Sequence, residues 1–193
     1  SLVLNNRFAY TGSVLKQMVD YNVTGFSGVP STYAYLLHRS PLATYRDKLV
    51  SLRYCSQAGG HMPRQIKEEL RRVLPDHTDI YIMYGATEAS ARLTYLPPQK
   101  FNEKIESIGI AIPGVTMKVV DNEGNLLASG ETGELVGSGP NIMQGYWMDS
   151  KLSEKVLDLH GYHTGDLGYM DDDGFFYLVG RKDSMLKCGG HRI

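Results

Sequence analysis

The sequence predicts an α/β protein: a partial parallel sheet with covering helices, followed by a small, mostly antiparallel β subdomain. Short β-rich runs alternate with stretches of helical apolar spacing through the first half. After about residue 104 that alternation gives way to period-two strands and Gly-rich turns. The composition, 42% apolar and 21% charged, belongs to a globular chain rather than a disordered one.

Each element has its own warrant. Residues 13–21 carry Val14, Leu15, Met18 and Val19 at helical spacing. Residues 23–29 suit a short buried strand, and Pro30 opens a helix through Leu37. Leu52 to Cys55 reads as a strand. Pro63 suits a first helical position, and Ile66, Leu70, Val73 and Leu74 follow on one face until Pro75. Ile80 to Tyr84 is β-branched and aromatic, hence a strand. Further on, Val115, Met117 and Val119 alternate with Thr116 and Lys118, a half-buried strand. Residues 121–125 (DNEGN) form a turn, and a short helix covers Ser150 to Leu157.

The length of 193 residues fits one domain, or one with part of another. Twenty Lys and Arg against twenty-one Asp and Glu leave a net charge of −1, so no global basic field exists to hold nucleic acid. No apolar run is long enough for a membrane span, and no signal pattern opens the chain. Cys55 and Cys188 alone exclude a disulfide framework and a Cys-rich zinc site. Two free thiols point to a reducing compartment, the cytoplasm. The six histidines lack metal-ligand spacing. Ser1 at one end and the Gly-rich run before Ile193 at the other give both ends a cut look.

Three stretches can carry chemistry. In CSQAGGHMP (55–63) a strand meets two glycines and then a helix; backbone without side chains approaches a flat ligand closely, but taken alone a plain strand-to-helix turn is the better account, since a Gly pair is a weak signal. MYGATEAS (83–90) follows a strand at the edge where α/β proteins bind ligands. There Tyr84 can stack on a base, Thr87 can reach a phosphate, and Glu88 can hold Mg²⁺; Thr87 as a helix cap with Glu88 in the first turn is an equal account. In residues 162–193, Asp166 can accept two hydrogen bonds from a ribose diol, and Arg181 and Lys182 can reach phosphate or ribose oxygens. The DDDG run lacks calcium-loop spacing and reads as a hairpin turn, and His163 and His191 have no evident ligand partners. No P-loop and no GxSxG elbow occurs.

In this order the stretches resemble the adenylate-forming (AMP-binding) superfamily, most closely its acyl-CoA synthetases. YGATE (84–88) is similar to its Y-G-x-T-E, and YHTGDL (162–167) to its Y-x-T-G-D-L. GELVGSGPNIMQGYW (133–147) and GRKDSMLKCGGHRI (180–193) resemble two further motifs, and GVPST and AGG extend the match toward the start.

The resemblance implies roles. Tyr84 would stack on adenine, with Ala58, Gly59 and Gly60 along its other face. Thr87 would contact the α-phosphate and Glu88 would hold Mg²⁺. Asp166 would bind the ribose hydroxyls, assisted by Arg181. Asp183 would fall at the hinge of a rotating C-terminal lid, with Lys187 just after it, on the face used in the second half-reaction. Gly28, Val29, Pro30 and Gly85 would border the acyl pocket. The implied reaction is ATP-dependent activation of a carboxylic acid to an acyl-adenylate, then transfer to the thiol of CoA or of phosphopantetheine on an acyl carrier protein, as in fatty acid metabolism.

The same resemblance divides the chain into residues 1–103, the end of an α/β subdomain; 104–180, a β-rich subdomain; and 181–193, the hinge and the start of a lid. The family's phosphate loop and lid lysine have no counterpart here. The expectation is therefore an internal fragment, inactive alone and prone to self-association through its uncovered sheet. Two other readings stay open: a fragment of an amino-acid adenylation domain, and a non-catalytic nucleotide-binding or scaffold paralogue.

Overall fold

The computed structural model describes residues 1–5 and 8–182, together with the backbone of 187–188 and 191–192. It contains two compact units, Ser1–Tyr81 and Ile82–Ile193.

The first unit opens with α1 (Thr11–Asp20), which buries Val14, Leu15 and Met18, with Val19 half-buried at the edge of the stripe. Asn22, at φ +50°, ends it: the Val23 N–H reaches Met18 O and the Asn22 N–H reaches Val19 O. This is a left-handed helix stop at a residue type that tolerates it. Strand β1 (Gly25–Gly28) runs parallel to β2 (Tyr54–Gln57), from Gly25↔Tyr54 to Gly28↔Gln57. Between them lie α2 (Pro30–Arg39), with Pro30 in its first turn, and the short α3 (Leu42–Tyr45). Tyr33 fixes α2 to the strands; its hydroxyl donates to Ser56 O at 2.7 Å and to Phe26 O at 3.2 Å.

The strand expected from Leu52 begins two residues later. Leu52 is buried in the preceding turn, where its carbonyl accepts from the Thr78 hydroxyl at 2.8 Å. Helix α4 (Arg64–Val73) has Pro63 as its cap rather than its first residue. It stops before Pro75 as expected, with Leu74 extended. The freed carbonyls are taken by Arg71, which donates to Leu74 O at 3.2 Å, to Thr78 O at 2.6 Å and to Pro75 O.

Strand β3 (Asp79–Tyr84) alternates as predicted, burying Ile80 and Ile82. In the second unit its end pairs antiparallel with β4 (Thr94–Leu96), and β4 pairs with β5 (Ile110–Ala111). The sequence gives no sign of β4 and β5, since strands of three and two residues are too short to show a period. Gly109 enters β5 at φ +93°, where a Cβ would lie 1.9 Å from Tyr95 O.

The remaining strands form an antiparallel sheet in the order β10–β9–β7–β6: β6 (Thr116–Val120), β7 (Gly133–Ser138), β9 (Gly161–Met170) and β10 (Phe176–Arg181). Helix α5 (Ser150–Val156) is capped by Asp149 and leads into β8 (Leu157–Asp158), which pairs with β9. Leu93, Ile108, Met117, Val119, Leu135, Tyr162 and Phe176 belong to this unit's core. The DNEGN and DDDG runs are turns closed by Asp121 and Asp171, each accepting two backbone N–H groups on Oδ1. Asp171 Oδ2 also takes Lys104 at 2.9 Å and the Tyr177 hydroxyl at 3.0 Å, so it serves the hairpin. Two-residue strands β11 (Lys187–Cys188) and β12 (His191–Arg192) pair with each other. Among the described residues no helix is long and apolar enough to cross a membrane.

Candidate functional site

In the second unit, three strands bring three separated motif residues together. Tyr84 ends β3, Asp166 lies within β9, and Arg181 ends β10. Arg181 and Asp166 are cross-strand partners. The Tyr84 hydroxyl donates to Asp166 Oδ2 at 2.7 Å, and Arg181 Nε stands 3.3 Å from Asp166 Oδ1. Burial and the neighbouring Asp166 carboxylate push the Tyr84 phenol well above its ordinary range, so it remains a donor at physiological pH. Each carboxylate oxygen carries two lone pairs, so Asp166 retains acceptor sites on both oxygens for a diol. Gly165 turns at φ +70°, and the Thr164 hydroxyl accepts the Asp166 N–H at 3.1 Å.

Thr87 and Glu88 lie on a single 3₁₀ turn, Thr87–Ala89. The cap position is Ala86, so Thr87 is not the cap residue; it is exposed on the turn. Glu88 is half-buried and accepts the Tyr146 hydroxyl on Oε1 at 2.6 Å. The turn is followed by two non-glycine residues in left-handed conformation, Ser90 (φ +47°) and Ala91 (φ +77°). Asn141 braces them, donating from Nδ2 to Ala89 O at 2.9 Å and to Arg92 O at 2.7 Å. Gly85 has a structural reason of its own, because a Cβ there would lie 2.5 Å from Ala91 O.

Among the described residues no three His, Cys, Asp or Glu side chains cluster as a metal cage. Glu88 is a hard oxygen donor next in sequence to the exposed Thr87 hydroxyl. That suits Mg²⁺, which keeps its waters and takes one or two carboxylates with phosphate oxygens.

In the first unit the predicted residues also lie together. Ala58 N–H donates to Gly28 O at 3.2 Å, and Gln57 Nε2 closes the Ala58–Gly60 turn on Gly60 O at 2.7 Å. Gly59 has φ +85°, and Cβ atoms added at Gly59 and Gly60 would lie 3.3 Å from Val29 and 3.6 Å from Pro30. Gln57 Oε1 is buried without a hydrogen-bond partner among the described residues, an uncommon and costly state.

Asp183 lies outside the described residues. Lys187 pairs with Arg192 through its backbone, and its side chain is outside the described part.

Sequence reasoning missed Tyr146, Asn141 and Glu134 as supports of these residues. All three stand inside a quoted motif, but nothing in a string of letters says which distant group each one meets.

The family described as AMP-binding enzyme matches residues 2–147. The chain is 32% identical over 180 residues to a long-chain-fatty-acid–CoA ligase of Salmonella typhimurium, covering 93% of this chain and 31% of that protein. It is 31% identical over 192 residues to a 2-succinylbenzoate–CoA ligase of Bacillus velezensis, covering 100% of this chain and 37% of that protein. The solved o-succinylbenzoate coenzyme A synthetase of Bacillus subtilis, in complex with ATP and magnesium ion, superposes with a TM-score of 0.76 at 29% identity, over 94% of this chain and 36% of that one. The chain thus spans about a third of the length of these curated relatives.

Proposed function

The chain belongs to the AMP-binding enzyme family, and from that premise we propose that it carries part of the nucleotide site of an AMP-forming acid–thiol ligase. The convergence of Tyr84, Asp166 and Arg181 from three strands supports this reading most directly. In the whole protein, a substrate carboxylate oxygen attacks the α-phosphorus of ATP, and the bond to pyrophosphate breaks. A thiol of CoA or of a carrier protein then adds to the acyl carbon of the acyl-adenylate, losing its proton, and AMP leaves.

The residues of this chain bind and orient. Tyr84 offers its ring to adenine while its hydroxyl holds Asp166. Asp166 accepts the ribose hydroxyls, and Arg181 keeps that carboxylate in place. In the first unit the bare backbone of the Ala58–Gly60 turn suits the base, and Gly28, Val29 and Pro30 suit the acid; in the second unit Gly85 suits the acid as well. Thr87 donates to the α-phosphate. Glu88 would hold the Mg²⁺ ion, which would supply charge neutralisation at the phosphoryl group. Asp183 serves as the pivot of the lid and Lys187 acts in the thiol-transfer step. The compartment is the cytoplasm, and the acids are those of fatty acid metabolism. Spanning a third of its relatives, the chain alone catalyses neither step.

Calorimetric titration with Mg²⁺·ATP and with a non-hydrolysable acyl-adenylate analogue tests the site, with Asp166→Ala as control. Weak binding that the control abolishes supports the assignment. Equal binding by chain and control overturns it, as does acyl-AMP formation by this chain at an ordinary enzyme rate for the claim of inactivity.

A further inference from the structure

We propose that Tyr146 is a positioning residue for the Glu88 carboxylate, and through it for the divalent cation that accompanies ATP. The proposal rests on the nucleotide-site reading above.

One short segment grips the Glu88 turn repeatedly. The Met143 N–H donates to Glu88 O at 2.7 Å, and the Ser90 hydroxyl donates to Asn141 O at 2.9 Å. Asn141 Nδ2 takes the carbonyls of Ala89 and Arg92. These bonds fix the backbone of the turn, including its two left-handed residues. Tyr146 does something different: its hydroxyl reaches the carboxylate itself, at 2.6 Å from Oε1. A glutamate has three side-chain torsions, the last of them broad. A phenol bound to one oxygen restricts those torsions and leaves the remaining lone pairs pointing in a constant direction.

Tyr146 is itself held. Its N–H donates to the Ser153 hydroxyl of α5 at 2.8 Å, and that hydroxyl donates to Asp149 O at 2.7 Å. Gly145, at φ +148°, lets the chain pass α5 closely, since a Cβ there would stand 2.9 Å from Ser153 Oγ. A line of contacts therefore runs from α5 through Tyr146 to Glu88. It bears on the cation because the nucleotide-site reading assigns the metal to Glu88, whose carboxylate this hydroxyl contacts directly. A ligating carboxylate is tuned by the groups that orient it.

The test is Tyr146→Phe, which removes the hydroxyl and keeps the ring. Calorimetry reads AMP binding without metal, then ATP binding across a Mg²⁺ series, and electron paramagnetic resonance counts bound Mn²⁺ in the presence of ATP. AMP affinity should stay within about twofold, while the Mg²⁺ midpoint for ATP binding should rise about tenfold, the value of one hydrogen bond to a charged group. In a Glu88→Gln background the same substitution should add nothing, because the coupling runs through that side chain. An unchanged Mg²⁺ midpoint overturns the proposal. So does a parallel loss of AMP and ATP affinity, which marks a merely structural role, or an undiminished effect in the Glu88→Gln background. A wild-type chain that binds neither nucleotide overturns the nucleotide reading and this proposal together, and so differs from a failure confined to the variant.

Discussion

Lys182 donates a 2.8 Å hydrogen bond to Glu134, a carboxylate on β7 that is only 6% exposed. The same oxygen meets His163 Nδ1 at 3.2 Å, and the other accepts the Gly165 N–H at 3.1 Å. His163 Nε2 stands 3.2 Å from Asp158. Glu134 thus holds the residue before Asp166 and the residue after Arg181. Burial alone would raise its carboxyl, but Lys182, His163 and the Gly165 N–H outweigh burial and hold it below the usual carboxylate range.

A depressed folded-state pKa contributes stability that is complete above the unfolded value, about 4.3 for Glu, and is lost as pH falls through the folded value. The second unit should therefore lose stability below about pH 4 with a component that Glu134→Gln removes. At neutral pH Glu134→Gln should cost about 1–2 kcal/mol, limited by the solvent-screened Lys182. Urea titrations at a series of pH values read both effects. An acid limb unchanged by the substitution would contradict the assignment.

Tyr84→Phe should destabilise the folded chain by about 1–2 kcal/mol, since a hydrogen bond to a charged acceptor disappears while the ring remains. Chemical denaturation measures it. A variant as stable as the parent would show that Asp166 finds another donor when the phenol is gone.

Gly109→Ala should cost about 3 kcal/mol or more, because its Cβ would meet backbone rather than a movable side chain. Gly114 has a similar φ of +83° with nothing within 4 Å. There the alanine substitution should cost only about 1 kcal/mol, from the left-handed backbone alone. Paired thermal melts separate the clash from the strain.

Leu2 and Leu4 are 88% and 85% exposed in the first unit, and Trp147 and Met148 are each 91% exposed in the second. Apolar surface of this kind favours association. Sedimentation velocity should show a weight-average mass that rises with concentration; a clean monomer with one sharp melt would contradict this.

Amphipathic elements were legible wherever one face had to be buried over several turns. Val14, Leu15 and Met18 marked α1, and Met117 and Val119 marked β6. Proline rules located the start of α2 and both ends of α4 to within a residue or two, and missed that Pro63 caps rather than starts α4. Strands β4 and β5 stayed hidden because their existence depends on pairing, as Tyr95↔Ile110 shows, and not on local pattern. The site divides in the same way. Tyr84, Glu88, Asp166 and Arg181 were singled out by residue type and motif. Tyr146 and Glu134 were not, because their part depends on partners 58 and 48 positions away.

Tyr84 and Asp166 are 82 positions apart in the chain. Contacts of such separation form slowly. A ribosome adds about 5–20 residues per second, so Tyr84 is synthesised several seconds before its acceptor. During that interval Glu134 also lacks Lys182, and β7, whose Gly133–Gly137 are all buried in the finished sheet, has no β9 to pair with. A nascent chain arrested just short of residue 161 would carry an apolar strand with an unpaired edge and a carboxylate still without Lys182, which is the kind of species that a chaperone binds.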